Sequence, residues 1–333
     1  MNQPSSGSGE ALILNLWHLK ARNGMFYYAL DYARSLGTPV FVVASPHLEF
    51  GAEFEPQKIW RAGVLRYICM LPRLLRSGAV FTPTPHPLPF ISRQMIVVHD
   101  SYPFVGFFGR VKSIMLRLSL ATSRCKVAFI NRTDSRRFVD RVVGESSRKV
   151  FLPNHLPASV PVTRRQRIPH QLIVGLVGTD SPKKNYDELM QVVMAEGAVG
   201  LKFVVYGTDT AYFRQLVERF PGISIVLLPS SESDFARFFA AIDCLVSVAT
   251  NEGFARPIAG ALQCGVPCLL RENEVFLEFY DGAASFYPTI SALVADLRPD
   301  IKFSPGRGIK DASELHAAID SGVAALRELR RQT

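Results

Sequence analysis

Short apolar runs recur along the chain in two series. Each run has strand length, and the segments between runs place their apolar residues at helical spacing. The first series falls at residues 12–17, 40–44, 80–82, 95–98, 127–130 and 149–152, the second at 172–177, 201–206, 224–227, 244–248 and 267–270. Strands that alternate with helices predict parallel sheets covered by helices on both faces. Between the two series, residues 153–169 are rich in Pro and Arg and follow neither period, which predicts a linker. The chain is therefore read as α/β, with a tail over residues 1–10. A Rossmann-like domain covers 11–160, and a second covers 161–333 and ends in a helix, the two facing each other across a cleft. Ligands of open α/β sheets bind at the carboxyl ends of the strands, so chemistry is expected in the loops after Trp17, Val98, Val177, Tyr206 and Val248.

Composition agrees with two globular domains: 333 residues, 48% hydrophobic, are enough for two buried cores. No apolar run has the length of a bilayer span, and residues 1–10 form a polar Ser/Gly stretch without the basic-then-apolar order of a signal peptide. A cytoplasmic protein is expected. Cys69, Cys125, Cys244, Cys264 and Cys268 are odd in number and scattered among aliphatic residues, as reduced core cysteines are. Cys264 and Cys268 enclose Gly265 and Pro267 with no His or Cys partner at ligand spacing, so no metal site is expected.

Charge changes the picture more. Residues 1–160 carry 20 Lys and Arg against 9 Asp and Glu, a balance of +11, whereas residues 161–333 carry 18 against 20, a balance of −2. The whole +9 excess belongs to the first half and predicts an anionic partner there. The stretches 61–76 and 104–126 interleave Arg and Lys with large apolar residues. Each is either a core helix with solvated basic residues or a face pressed onto anionic lipid on the inner side of the cell membrane. Nucleic acid ranks below the membrane, since neither an aromatic stacking motif nor a recognition helix is evident.

The most informative stretch runs from Ala249 through Thr250, Asn251, Glu252, Gly253, Phe254, Ala255, Arg256 and Pro257 to Gly265 and Pro267. It predicts a strand end, a glycine-containing loop, a helix begun near Pro257 and closed by Gly265, and a new strand. A loop that runs into a helix start offers backbone N–H groups and a positive dipole end to a phosphate. Glu252 adds a carboxylate, which a diphosphate repels and which accepts hydrogen bonds from sugar hydroxyls. Upstream, Gly178, Thr179, Pro182, Lys183, Lys184 and Asn185 form a second strand-end loop with two cations.

These two segments resemble the retaining glycosyltransferases of family 4, which have the GT-B fold. The family's Glu-Gly-Phe-Gly, Pro, Glu-Ala and Gly-x-Pro pattern is matched at Glu252, Gly253, Phe254, Pro257, Ala261, Gly265 and Pro267. The 178–185 loop is similar to the Gly-Thr-x-x-Pro-Arg-Lys-Asn loop of a branch rich in mannosyltransferases. Asn23 and Gly24 resemble the family's glycine loop, His99 and Asp100 its His-Asp strand end, and residues 149–154 its strand and Asn before the linker. The resemblance implies transfer of a sugar, with GDP-mannose the favoured donor, from a nucleotide diphosphate to a glycolipid or glycan acceptor. It also implies retention of configuration and no cofactor or active-site metal. It assigns Glu252 and His99 to catalysis, and Gly24, Gly178, Lys183, Lys184, Gly253, Phe254, Ala255 and Pro257 to the donor.

One departure stands out. The family's second glutamate, which holds the donor ribose, is replaced by Gly260, and Gln263 one turn further along is the candidate substitute. Structural alternatives remain beside these roles: Glu252 as a helix-start carboxylate, Lys183 and Lys184 as solvated cations, His99 as a structural histidine, Asp100 as a turn cap, and Gly24 as a tight-turn residue or a place where a diphosphate approaches. Two other functions also remain, a catalytically inactive relative that binds a nucleotide sugar or partner enzyme, and a hydrolysing or epimerising GT-B enzyme. Retention of Glu252 and both lysines speaks against the first, and the Glu-Gly-Phe stretch against the second.

Overall fold

The apolar runs form two parallel sheets, one in each of two compact units, residues 1–155 with 313–333 and residues 156–312. The computed structural model describes residues 12–331 apart from 38–39, 52–53, 55, 57, 70–78, 89–90, 92, 124, 160, 180, 232–233, 305, 307–308 and 310–311. The tail at residues 1–10 thus lies outside the described residues, as does most of the basic stretch beyond Cys69.

In the first unit the strands are β1 (Leu12–Leu16), β2 (Val40–Ala44), β3 (Lys58–Arg61), β4 (Ala79–Thr82), β5 (Gln94–Val98), β6 (Lys126–Phe129) and β7 (Lys149–Phe151). They pair in the order β3-β2-β1-β4-β5-β6-β7, every pair parallel. β1 and β5 are buried along their whole length, as central strands covered on both faces must be. β3 is an edge strand of sequence Lys-Ile-Trp-Arg with little burial, so its hydrophobic signal was too weak to predict it.

The second unit contains β8 (Leu172–Val177), β9 (Leu201–Gly207), β10 (Ser224–Pro229), β11 (Cys244–Ser247), β12 (Cys268–Arg271) and β13 (Ser285–Tyr287), in the parallel order β10-β9-β8-β11-β12-β13. β13, only three residues long, is the second unpredicted strand, again at an edge. In each sheet the strand order reverses beside the first strand: between β1 and β4, and between β8 and β11. The crevice outside the carboxyl ends of such a strand pair is the ligand position in this class of sheet.

The linker does not hang free. From Leu156 onward the chain belongs to the second unit, and its arginines bind that unit's backbone. Arg164 donates to the carbonyl of Asp243 at 2.7 Å, Arg165 to that of Ala241 at 3.0 Å and Arg167 to that of Ile301 at 2.5 Å. Arg165 also pairs with Asp243 at 2.6 Å, and the same carboxylate accepts Ile173 N–H at 2.7 Å.

The expected boundary is corrected at the other end. The final helix, Ala312–Arg331, belongs with the first unit and not with the second-half domain. Its Gly322 lies so close to Leu152 that a Cβ there would come within 2.2 Å of a Leu152 methyl, and Glu314 and Glu328 pair with Arg132 and Lys126 at 2.7 and 3.2 Å. The chain returns because this amphipathic helix buries Leu315, Ile319, Val323, Leu326 and Leu329, for which only a distant part of the sequence supplies a partner.

Candidate functional site

The two loops at the strand reversal of the second sheet are the two that the motifs single out. After β8, Gly178 takes φ +96°, which glycine adopts freely, and donates its N–H to the Tyr206 carbonyl at 2.9 Å. Thr179 is buried behind it, donating to the Thr208 carbonyl at 2.7 Å and accepting Thr208 N–H at 3.1 Å. A short 3-10 turn, Pro182–Lys184, is capped by Ser181 and ends on Asn185 in the left-handed region, a conformation that Asn tolerates better than most residues. The helix Tyr186–Ala195 follows.

After β11 the chain runs through Val248 to Ala255 and opens the helix Arg256–Gln263, with Pro257 in its first turn. The two loops are joined: Thr250 N–H donates to the Lys183 carbonyl at 3.1 Å. Their side chains meet as well. Lys184 Nζ donates to Glu252 Oε1 at 2.7 Å, and both groups are largely shielded from solvent. Burial by itself pushes the Glu252 carboxyl up, but the charges of Lys184 and then Lys183, with the Lys184 hydrogen bond, outweigh it and hold the group below the usual carboxylate range. Glu252 is thus a largely buried carboxylate held by Lys184 at the reversal point.

Sequence alone did not reveal what holds this loop. Tyr280, fully buried, donates its hydroxyl to the Phe254 carbonyl and contacts the Ala255 carbonyl at 3.3 Å, and Asn273 donates to the Ala249 carbonyl at 3.5 Å. Both residues lie on or beside the helix Glu274–Tyr280, about two dozen positions downstream, and no motif marks them. The Phe254 ring is buried edge-on against Phe279 with centroids 4.7 Å apart. Its side chain is therefore an anchor for the loop. Gly253, also buried, precedes it.

Ala255 is held at φ 55°, ψ 63°, the left-handed region where a Cβ is disfavoured by about 1–2 kcal/mol. This accounts for the glycine of the family pattern at this place. Ala255→Gly is expected to raise stability by about 0.5–1 kcal/mol, the relief of strain exceeding the entropy that glycine adds to the unfolded chain. Urea melts of both proteins measure it, and an equal or lower midpoint for the glycine variant contradicts the strain.

Gly260 is buried in the middle of the same helix, where a Cβ would stand 3.4 Å from the Phe239 ring and 3.9 Å from Pro157. The place of the missing carboxylate is thus walled by an aromatic ring, part of a group in which Phe235 stacks on Phe239 at 5.5 Å and meets Tyr206 at 4.5 Å. Gln263 stands in the last turn of the helix, and among the described residues nothing donates to its buried Oε1.

Gly24 and His99 belong to the first unit. Gly24 opens the helix Gly24–Leu36, which Asn23 caps through bonds from Met25 and Phe26 N–H at 3.1 and 3.2 Å. Its φ is not positive and a Cβ there would meet nothing within 4 Å, so the turn does not demand glycine and the space over it is open. His99 Nε2 donates to the Pro83 carbonyl at 3.0 Å and the ring lies edge-on to Tyr28 at 4.8 Å. Asp100 accepts Tyr102 N–H at 3.2 Å as a turn cap.

The histidines at the strand reversal of this sheet are others. His18 follows β1 and His86 follows β4; their rings stack at 4.0 Å beside Trp17, which stacks on Tyr67 at 4.2 Å. Burial, with a further contribution from His86, pushes His18 down to about 4, so it is a neutral donor and acceptor at physiological pH. Lone histidines on unconnected loops gave no signal before the sheet order brought them together.

Residues 163–283 match the family model described as glycosyl transferases group 1. Among solved structures, Anabaena Alr3699/HepE in complex with UDP and glucose is similar over 96% of this chain and 95% of its own, with TM-score 0.65 at 13% identity. WaaG, a glycosyltransferase involved in lipopolysaccharide biosynthesis, is similar over 96% and 94%, with TM-score 0.63 at 16% identity. Sucrose-phosphate synthase from Thermosynechococcus elongatus is similar over 97% and 94%, with TM-score 0.60 at 14% identity. No curated protein matches the sequence. Within the second unit the similarity to glycosyl transferases group 1 is confined to residues 163–283, and the two Rossmann-like domains have the GT-B fold of the similar structures.

Proposed function

We propose that this chain, with its glycosyltransferase group 1 domain, transfers a sugar from a nucleotide diphosphate donor bound by the second unit to a lipid-linked or polysaccharide acceptor bound by the first. The observation that carries the reading is the Lys184–Glu252 pair at the strand reversal, flanked by Lys183 and by the amides that open the helix Arg256–Gln263. A lysine has three donors and a carboxylate two oxygens. Lys184 can therefore keep Glu252 Oε1 while reaching a phosphate oxygen, and Glu252 can still accept sugar hydroxyls.

In this reading Gly178, Lys183, Lys184 and the amides of Gly253 to Pro257 hold the diphosphate. Fixed positive charge at its oxygens lowers the barrier to its departure without a metal, and the resemblance of the 249–267 stretch to retaining glycosyltransferases adds retention of configuration to the proposal. Gln263 is the candidate for the ribose. For the donor, the Gly178–Asn185 loop favours GDP-mannose, while the complexes of Alr3699/HepE with UDP and with UDP-glucose make UDP-glucose the second choice. The neutral His18–His86 pair and the Trp17 ring suit acceptor hydroxyls. The first half's charge suits an anionic membrane surface.

A thermal-shift series with UDP, GDP, ADP and their sugar conjugates tests the donor. The true nucleotide at a hundred times its dissociation constant is expected to add about 2.7 kcal/mol of stability, several degrees in midpoint. No shift with any nucleoside diphosphate overturns the reading. The anomeric configuration of the product, read by NMR, tests retention.

A further inference from the structure

The helix Gly106–Thr122 of the first unit has two apolar faces, and among the described residues only one of them is packed. Gly109, Leu116 and Leu120 are buried, the two leucines in a cluster with Ile96, Val98, Val127 and Phe138. On the other side Phe107 and Phe108 are 76% and 78% exposed, and Val111, Ile114, Met115 and Leu118 are exposed with them. At 3.6 residues per turn these six fill one arc of about 120°, roughly opposite the buried stripe. Arg110 and Arg117 fall on one border of that arc and Lys112 on the other, and the helix contains no acidic residue. An apolar centre with basic borders, on a half of the chain with an excess of +11, is complementary to an anionic lipid surface; a face built to pack on protein has no need of that border.

The face is held rigidly. Phe104 stacks on Phe138 at 4.1 Å, and its backbone packs so tightly over Gly109 that a Cβ there would come within 2.2 Å. Lys112 lies near enough to His86 for its charge to lower that imidazole's pKa, beyond the larger effect of burial.

We propose that this face docks the protein on an anionic bilayer by insertion, with Phe107 and Phe108 entering the acyl-chain boundary while Arg110, Lys112 and Arg117 meet lipid phosphates. The docking does not depend on the identity of the donor, so it is tested without sugar transfer. No helix among the described residues is long and apolar enough to cross a membrane.

Full-length protein is floated with vesicles of phosphatidylcholine alone and of phosphatidylcholine with phosphatidylglycerol. Binding to the mixed vesicles is expected to be the tighter, and molar salt is expected to weaken it without abolishing it. The double variant Phe107→Ser/Phe108→Ser is expected to lose on the order of tenfold or more in partitioning. Its melting temperature and nucleotide-induced shift should be unchanged, since both rings are exposed. The emission added by Phe107→Trp is expected to shift to the blue on the mixed vesicles and to be quenched by brominated acyl chains. Binding unaltered by the double variant, absence of binding, or an added indole emission indifferent to brominated lipid overturns the proposal. A dimer in solution that the same double variant dissolves gives the face to a second copy and overturns it as well.

Discussion

Glu252→Gln is expected to lower turnover at saturating donor by a factor on the order of a hundred or more, while the affinity for the bare nucleoside diphosphate stays the same or rises slightly. The substitution keeps shape and size but removes the charge that burial opposes and two lysines sustain. A group held as an anion against burial is in place before substrate arrives, and in the proposed reaction its bonds to sugar hydroxyls would strengthen as positive charge develops on the sugar ring. Loss of that contribution falls on the transition state. The nucleotide, by contrast, meets Lys184 with its counter-charge gone, so phosphate binding has no reason to weaken. Steady-state kinetics with the donor identified by thermal shift, together with calorimetry of the diphosphate alone, separates the two effects. If the variant lost nucleotide affinity and kept its turnover, Glu252 would be holding the ribose in place of the glutamate that Gly260 replaces.

The parts of this site that were legible in the sequence are the parts in which chemistry is local. A strand end, a glycine and a helix start follow one another within a few residues, so the loops at 178–185 and 249–257 could be located from the strand ends together with the family motifs they resemble. The sheet order then showed why those two loops matter together, because β8 and β11 are neighbours although about seventy residues separate them. Contacts that are long in sequence left no such trace. The bond from Tyr280 to the Phe254 carbonyl, the stacking of His18 on His86 and the return of the last helix to Leu152 all depend on tertiary packing between residues that no periodicity links. Edge strands β3 and β13 were missed for another reason: an edge buries little, and a short strand that buries little carries little hydrophobic pattern. His99 combines the two cases. Its place at a strand end was legible, whereas the Pro83 carbonyl that takes its Nε2–H, sixteen residues upstream, was not.

Lys184→Ala is expected to weaken nucleoside diphosphate binding by about 1.5–3 kcal/mol, the range for hydrogen bonds that involve charge. The structure adds a second effect, since Lys184 is also the partner of a buried carboxylate. Without it Glu252 keeps its burial and loses the larger of the two opposing charges, so the ligand-free protein is expected to lose about 1–3 kcal/mol of stability at neutral pH. The sign of the pH dependence follows from linkage. In the wild type the folded-state pKa of Glu252 lies below its unfolded value, so the stabilisation is complete above the ordinary carboxylate range and is lost as pH falls through the depressed folded value. In the variant that pKa rises, and less stability remains to be lost on acidification. The gap between the two proteins is therefore expected to be widest near neutrality and to narrow as pH falls below about 4.5. Urea melts at several pH values measure the gap, and calorimetry with the diphosphate measures the affinity. A gap independent of pH would mean that the pair contributes packing rather than charge, and an unchanged affinity would take Lys184 out of the donor site.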